Sequence, residues 1–209
     1  TREAFFRAIF DNASVGIVSL GPDHRPKLVN RAFANFVDYP IDTLLQQPDA
    51  PLLPPAERER IKRALDDIAG GQSSGLRSEF EFLDRNGTTR WGDVQIAAVR
   101  NESGELDSLL ITVLDISDRR EIETELIRQF TFLQALLDTI PNPIFYKGAH
   151  TRFLGCNRAY ETFFGIGRGS FIGKRVLDLD YLPAEVRQAY QAEDEEIIAA
   201  GSRTTREVA

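Results

Sequence analysis

Apolar residues at Phe5, Phe6, Ile9 and Phe10 follow helical spacing, so the chain opens on a short amphipathic helix. Val15–Leu20 is rich in strand formers and ends at Gly21-Pro22-Asp23, a turn signal, and Lys27–Val29 completes a hairpin. Asn30 stands at a helix N-cap position ahead of Ala32, Phe33 and Phe36. The proline-rich stretch Pro40–Pro55 reads as short irregular helices and loops. Ala56–Ala69 then sets Ile61, Leu65 and Ile68 on one face and stops at Gly70-Gly71. Three strands follow, Ser78–Phe82, Arg90–Arg100 and Ser108–Ile116, joined through the turns Asp84–Gly87 and Glu102–Gly104. The order β-β-α-α-α-β-β-β predicts an antiparallel sheet with helices gathered on one side, α+β in class.

A long helix is predicted over 118–140, opened by Ser117-Asp118 with a capping box between Asp118 and Glu121. Leu126, Phe130, Leu133, Leu137 and Ile140 alternate four and three apart, the spacing of a coiled-coil seam. Pro141 and Pro143 end that helix. Strands Pro143–Lys147 and Arg152–Cys156, a helix Asn157–Phe164 and a longer helix Pro183–Ala200 come next, with Gly201 as the stop.

The second half repeats the first. Asn-Arg-Ala-aromatic-x-x-Phe occurs at Asn30–Phe36 and again at Asn157–Phe163. At the same fixed offset Phe5 falls on Phe132, Asp11 on Asp138, Ile17 on Ile144, Gly21 on Gly148 and Arg25 on Arg152, without a gap. Two copies of one domain type are therefore expected, over 1–117 and 141–209, with 118–140 as the connection. The last three strands of the second copy would begin at position 205, so that copy lacks most of them.

Composition narrows the function. With a net charge of −7, a pI near 5.0 and no extended basic patch, a nucleic-acid footprint is not expected. No apolar run approaches the roughly 20 residues that span a bilayer, and no signal peptide is visible. Cys156 is the single cysteine, which fits a reducing cytoplasm and excludes a disulfide framework. The two histidines are scattered, which leaves no zinc-site spacing. Methionine is absent even at position 1, so the chain reads as part of a longer protein.

In their order and spacing these segments resemble tandem PAS domains. The residues that carry the resemblance are Asn30–Phe33, Asp84–Gly87, Arg90-Trp91 and Val113–Ser117 in the first copy. In the second they are Pro141–Lys147, Phe153–Tyr160 and Ile172–Lys174. The resemblance implies a cytoplasmic input module, usually dimeric, with a small-molecule pocket under a five-stranded sheet. It implies an output such as a histidine kinase or a cyclic-di-GMP enzyme (a diguanylate cyclase), and neither is encoded in these residues. This stretch itself is not expected to be an enzyme.

Flavin-binding LOV domains, which resemble PAS domains, keep a reactive cysteine after the motif helix. The corresponding stretch here, Gly173–Val176, has Val176 in that place, and Cys156 reads as buried filler. Haem sensors of this kind take a histidine from the helix before the three strands, and neither such helix has one. His24 and His150 fall in turns. Trp91 could stack on a flavin, although a cross-strand aromatic is the simpler reading. No cofactor is the preferred expectation, with flavin left open and haem disfavoured. Asn30 and Asn157 read as helix caps, and Glu193–Glu196 as a solvated face.

Candidate pocket residues in the first copy are Ile17, Phe33, Phe36, Leu65, Phe80, Phe82, Ile96, Ile111 and Val113, all equally suited to a core. In the second copy they are Phe145, Tyr160 and Phe163. Asp115 and Ser117 are the candidate relay. Asp115 would pair with Arg85 or Arg90, and Ser117 would cap the connecting helix. Leu126, Phe130, Leu133, Leu137 and Ile140 would form a homodimer seam. The expected function is sensing of a small molecule or redox state, relayed through the helix. The alternative is a ligand-free dimerisation and spacer module.

Overall fold

The computed structural model describes residues 2–47 and 51–201 and divides the chain into two units between Thr124 and Glu125. The first unit opens with helix α1 (Arg2–Asn12), the hairpin β1 (Gly16–Leu20) and β2 (Pro26–Val29), and helices α2 (Arg31–Val37), α3 (Ile41–Gln46) and α4 (Pro55–Ala69). Strands β3 (Gly75–Leu83), β4 (Thr89–Arg100) and β5 (Leu106–Asp115) complete one antiparallel sheet, in the order β2-β1-β5-β4-β3. The order of elements is the one read from the sequence, and the class is α+β.

Local chemistry sets the boundaries. Asn30 caps α2 through Phe33 N–H, and Asp38 closes the helix in the left-handed region at φ 54°. Pro55 occupies the first turn of α4, where its missing N–H costs nothing. Asp84 is buried because its carboxylate accepts Asn86 N–H and Thr88 N–H, which shapes the turn that Gly87 completes at φ 78°.

One face of the sheet carries the core. Val18, Ile111 and Ile96 stand side by side in register, flanked by Val94, Val113, Phe80 and Phe82. Phe33 and Phe36 of α2 meet Phe82, with ring centroids 6.4 and 5.1 Å apart in edge-on geometry. Gly92 lies beneath them, and a Cβ there would stand 2.6 Å from Val113 Cγ1. These side chains form one hydrophobic cluster beneath the sheet.

Ile17 is a correction. It pairs with Thr112 on the opposite face of the sheet and is only half-buried, while Gly16, Val18 and Leu20 point inward. Inward Gly16 packs against Phe33 and contributes no side chain, so the alternation along β1 was read one residue out of phase.

Helix α5 runs Ser117–Asp138. It begins one residue earlier than predicted because Asp115 Oδ1 accepts Ser117 N–H at 2.9 Å. Asp118 therefore lies inside the first turn, and the Asp118–Glu121 capping box does not form. At the other end Ile140 lies past the helix, since the residue before Pro141 is pushed out of helical geometry.

In the second unit the hairpin β6 (Phe145–Lys147) and β7 (Phe153–Cys156) precedes α6 (Arg158–Phe164), two 3-10 turns and α7 (Ala184–Ala200). Phe145 pairs with Cys156 just as Val18 pairs with Val29 in the first unit. Among the described residues this unit has a two-stranded sheet, and the predicted start of further strands at position 205 lies outside them.

Candidate functional site

A cavity of about 700 Å³ opens in the second unit, bounded by the β6–β7 hairpin, α6 and α7. The candidates Phe145, Tyr160 and Phe163 all line it, with Phe163 at its mouth and 72% exposed. The aromatic residues form a continuous wall. Phe145 is 5.4 Å from Phe153 and 5.5 Å from Tyr160, and Tyr160 is 4.6 Å from Phe164. Helix α7 adds Tyr190, Asp194 and Ile197, spaced four and three apart on one face.

Lys147 and Asp194 are an ion pair inside this wall. The side chains of Lys147 and Asp194 are 7% and 20% exposed. The Lys147 ammonium also lies 4.3 Å from the Phe153 ring centroid and 5.2 Å from that of Phe145. The sequence reading placed Glu193–Glu196 on a solvated face, and this is corrected: Glu193 and Asp194 are half-buried and line the cavity. The first domain shows what else can fill these places. With Asn30 set on Asn157, Leu20 falls on Lys147, and with the cap residues Pro54 and Pro183 aligned, Leu65 falls on Asp194. Leu20 and Leu65 are both buried in the apolar core.

Tyr160 Oη and Tyr181 Oη are 3.2 Å apart, and burial together with that contact pushes the Tyr160 phenol far above its usual range. Cys156 is fully buried, and burial raises its thiol, so it is poorly suited to act as a thiolate. Val176 borders the cavity where a photoactive cysteine would stand. Helices α4 and α7 carry no histidine, and among the described residues no cluster of side chains is arranged to hold a metal ion.

The first-copy candidates meet in a packed core. Phe33, Phe36, Leu65, Phe80, Phe82, Ile96 and Val113 are buried in one cluster, with half-buried Ile111 packed against it. Trp91 lies on the opposite face of the sheet, level with Glu81, under the Arg120 guanidinium at 4.4 Å.

The relay candidates adopt partners other than those expected. Asp115 serves as the helix cap, and Arg90 pairs with Asp84 at 3.8 Å instead. Ser117 does not cap: its Oγ accepts Trp91 N–H at 3.0 Å and so ties the start of α5 to β4. Glu79 on β3 holds both Arg119 and Arg120, which sequence reasoning missed. At the far end of α5, Asp138 accepts Arg158 N–H at 2.7 Å and pairs with Arg168, which also grips Glu161.

Of the seam residues, Leu126, Phe130 and Leu133 are exposed, Leu137 is half-buried, and Ile140 lies beyond the helix end. Phe5, Phe6 and Ile9 of α1 are also exposed. Among the described residues no helix is long and apolar enough to cross a membrane.

A family model of the PAS fold matches residues 10–121 and 137–208. Among curated relatives, the sensor histidine kinase TmoS of Ectopseudomonas mendocina is 26% identical over 124 residues, 59% of this chain and 13% of that protein. The virulence sensor protein BvgS of Bordetella pertussis is 32% identical over 145 residues, 63% of this chain and 11% of that protein. The chain thus spans only a small part of these relatives. Among solved structures, a PAS domain from Colwellia psychrerythraea superposes with a TM-score of 0.51 at 18% identity, covering 56% of this chain and 99% of that one. The likeness supports the fold alone.

The Arg168 network sets a pH dependence. Hydrogen bonds from Arg168 hold Glu161 below the usual carboxylate range. Asp138 is raised by partial burial, but the hydrogen bonds from Arg158 N–H and Gln134, with the charge of Arg168, outweigh this and hold it low. Folded-state values below the unfolded ones contribute stability above the ordinary carboxylate range, which is lost as pH falls through the depressed values. Hydrogen exchange in α6 is expected to accelerate from about pH 4 downward. Arg168→Gln is expected to flatten that acid dependence, and an unchanged dependence would remove the network as its cause.

Proposed function

The chain belongs to the PAS fold family through both of its domains, and from that premise we propose that it is a sensory input segment whose second domain takes a small molecule in its aromatic cavity. The first domain then acts as a relay, and α5 carries a change of state between the two. A cytoplasmic position and a histidine kinase as output fit this reading, the second because sensor kinases are among the relatives. This stretch supplies input to that output and does no chemistry itself. Val176 in the place of the reactive cysteine, and the lack of a histidine on α4 and α7, disfavour cysteine-adduct flavin photochemistry and haem, while a flavin held without an adduct stays open.

The observation that carries the reading is the Lys147–Asp194 pair. A largely buried ion pair seldom stabilises more than the apolar pair it replaces. Two leucines fill the equivalent places in the first domain, so stability alone gives no reason for the charges. Recognition of a ligand does.

Fastening of α5 at both ends supports the relay. Ser117, Asp115 and Glu79 hold its start, and Asp138 is bound to α6 at its end. A ligand that shifted α6 or α7 would bias the helix between two states. The exposed Leu126, Phe130 and Leu133, with Phe5, Phe6 and Ile9, support a homodimer formed through helices.

Lys147→Leu alone or Asp194→Leu alone is expected to cost about 3 kcal/mol, because each strands one buried charge. The double change should return to within about 1 kcal/mol of the starting stability in urea unfolding. In the intact signalling protein the double variant is expected to fold and to lose its response to signal. A retained response would favour the spacer reading. Leu133→Glu is expected to weaken self-association in sedimentation, and unchanged association would assign the stripe another role.

A further inference from the structure

We propose that α5 pairs in parallel with α5 of a second copy along Ile122, Leu126, Gln129, Leu133 and Leu136, with Gln129 meeting its own counterpart. This rests on the homodimer reading and assigns the seam through which the dimer forms.

The heptad expected from the sequence shares Leu126 and Leu133 with this seam, but takes its other positions from the neighbouring side of the helix. Those positions are Glu123, Phe130, Leu137 and Ile140. Ile140 lies past the helix end. Leu137 is half-buried, on the side of the helix that carries Gln134 and Asp138. Gln134 Nε2 donates to Cys156 O at 3.0 Å and Asp138 accepts Arg158 N–H, so that side is already engaged. Glu123 would face its own counterpart across the core, two like charges in direct opposition.

A seam turned by one residue avoids these conflicts. Ile122, Leu126, Leu133 and Leu136 are all exposed. With Gln129 they are spaced four, three, four and three apart, the repeat of a left-handed pair of helices. Ile122 lies about 200° around the helix from Arg120, whose guanidinium is laid on Trp91, and Leu136 lies about 100° from Leu137. Phe130 and Phe132, both exposed, then stand on the two flanks of the seam, where they cover it. The heptad through Phe130 leaves Phe132 on the outer side of the pair.

Gln129 identifies the partner. A glutamine among leucines at a core position favours a helix that offers an amide at the same level. Its Nε2 donates to Glu125 Oε1 at 2.9 Å within the helix, which leaves a second N–H and the carbonyl oxygen for the other copy. In a parallel, unstaggered pair two such amides meet and satisfy each other. In an antiparallel pair Gln129 would stand against Leu133, and its amide would be buried without a partner. The helix therefore fits a second copy of this chain in parallel.

Disulfide formation between single introduced cysteines tests the seam on the intact protein, because it needs Cα atoms within about 7 Å of each other. Under mild oxidation Gln129→Cys is expected to cross-link about tenfold faster than Phe130→Cys, with Cys156 too deeply buried to compete. Gln129→Leu is expected to strengthen association in sedimentation and to add species larger than the dimer, whereas Gln129→Asn keeps the dimer. Unchanged assembly of Gln129→Leu would overturn the place of Gln129 in the core. Rapid cross-linking of Phe130→Cys, equal to or faster than that of Gln129→Cys, overturns this seam and leaves a homodimer through helices. Slow cross-linking at both positions overturns the seam and the homodimer reading together.

Discussion

The carboxamide of Asn157 is wholly buried, and its hydrogen-bonding capacity is fully used. Its oxygen accepts Tyr160 N–H at 3.0 Å and Ile144 N–H at 2.8 Å. Its amino group donates to Leu137 O at 3.2 Å, Ile140 O at 3.0 Å and Asn142 O at 2.8 Å. Four pieces of chain are thus fastened by one side chain: the end of α5, the loop after it, the approach to β6 and the first turn of α6. Asn30 does the same in the first domain, joining Phe10 O, Val15 O, Ile17 N–H and Phe33 N–H. An aspartate could accept but not donate, and a buried amide left half-satisfied would cost more than it contributes.

That constraint ties the wall of the second-domain cavity to α5. Tyr160, a wall of the cavity, begins its helix on Asn157 oxygen, and Leu137, in the last turn of α5, is held by Asn157 nitrogen. The first turn of α6 is therefore joined to the last turn of α5 through two hydrogen bonds and one rigid amide. At the other end of α5 the Trp91–Ser117 bond and the Glu79 clamp are the matching attachments to the first sheet.

Much of the architecture was legible in the sequence because it is written in backbone chemistry. The turn at Asp84–Gly87, the caps at Asn30 and Asn157 and the repeated hairpin-helix order all depend on residues near one another in sequence. Three features were not legible, for different reasons. Ile17 was given the wrong face because the true inward residue, Gly16, has no side chain to mark the alternation. Ile140 continued the heptad numerically, yet the following proline had already ended the helix. Asp194 was hidden in a run of acidic residues that reads as solvent-facing until it is set against Leu65 in the other copy. Arg90 illustrates the general limit: whether it joined Asp115 or Asp84 depended on distances that only the folded sheet defines. The cavity candidates Tyr160 and Phe163 stand at the repeat positions of Phe33 and Phe36, while Lys147 needed the comparison of the two copies.

Amide hydrogen exchange in the intact protein carrying Asn157→Ala probes the fastening role most directly. The expected result is that protection falls together at Ile144, at Tyr160 and across the last turn of α5, while α7 keeps its protection. A loss confined to Tyr160 would contradict it, since Asn157 would then be a helix cap and nothing more.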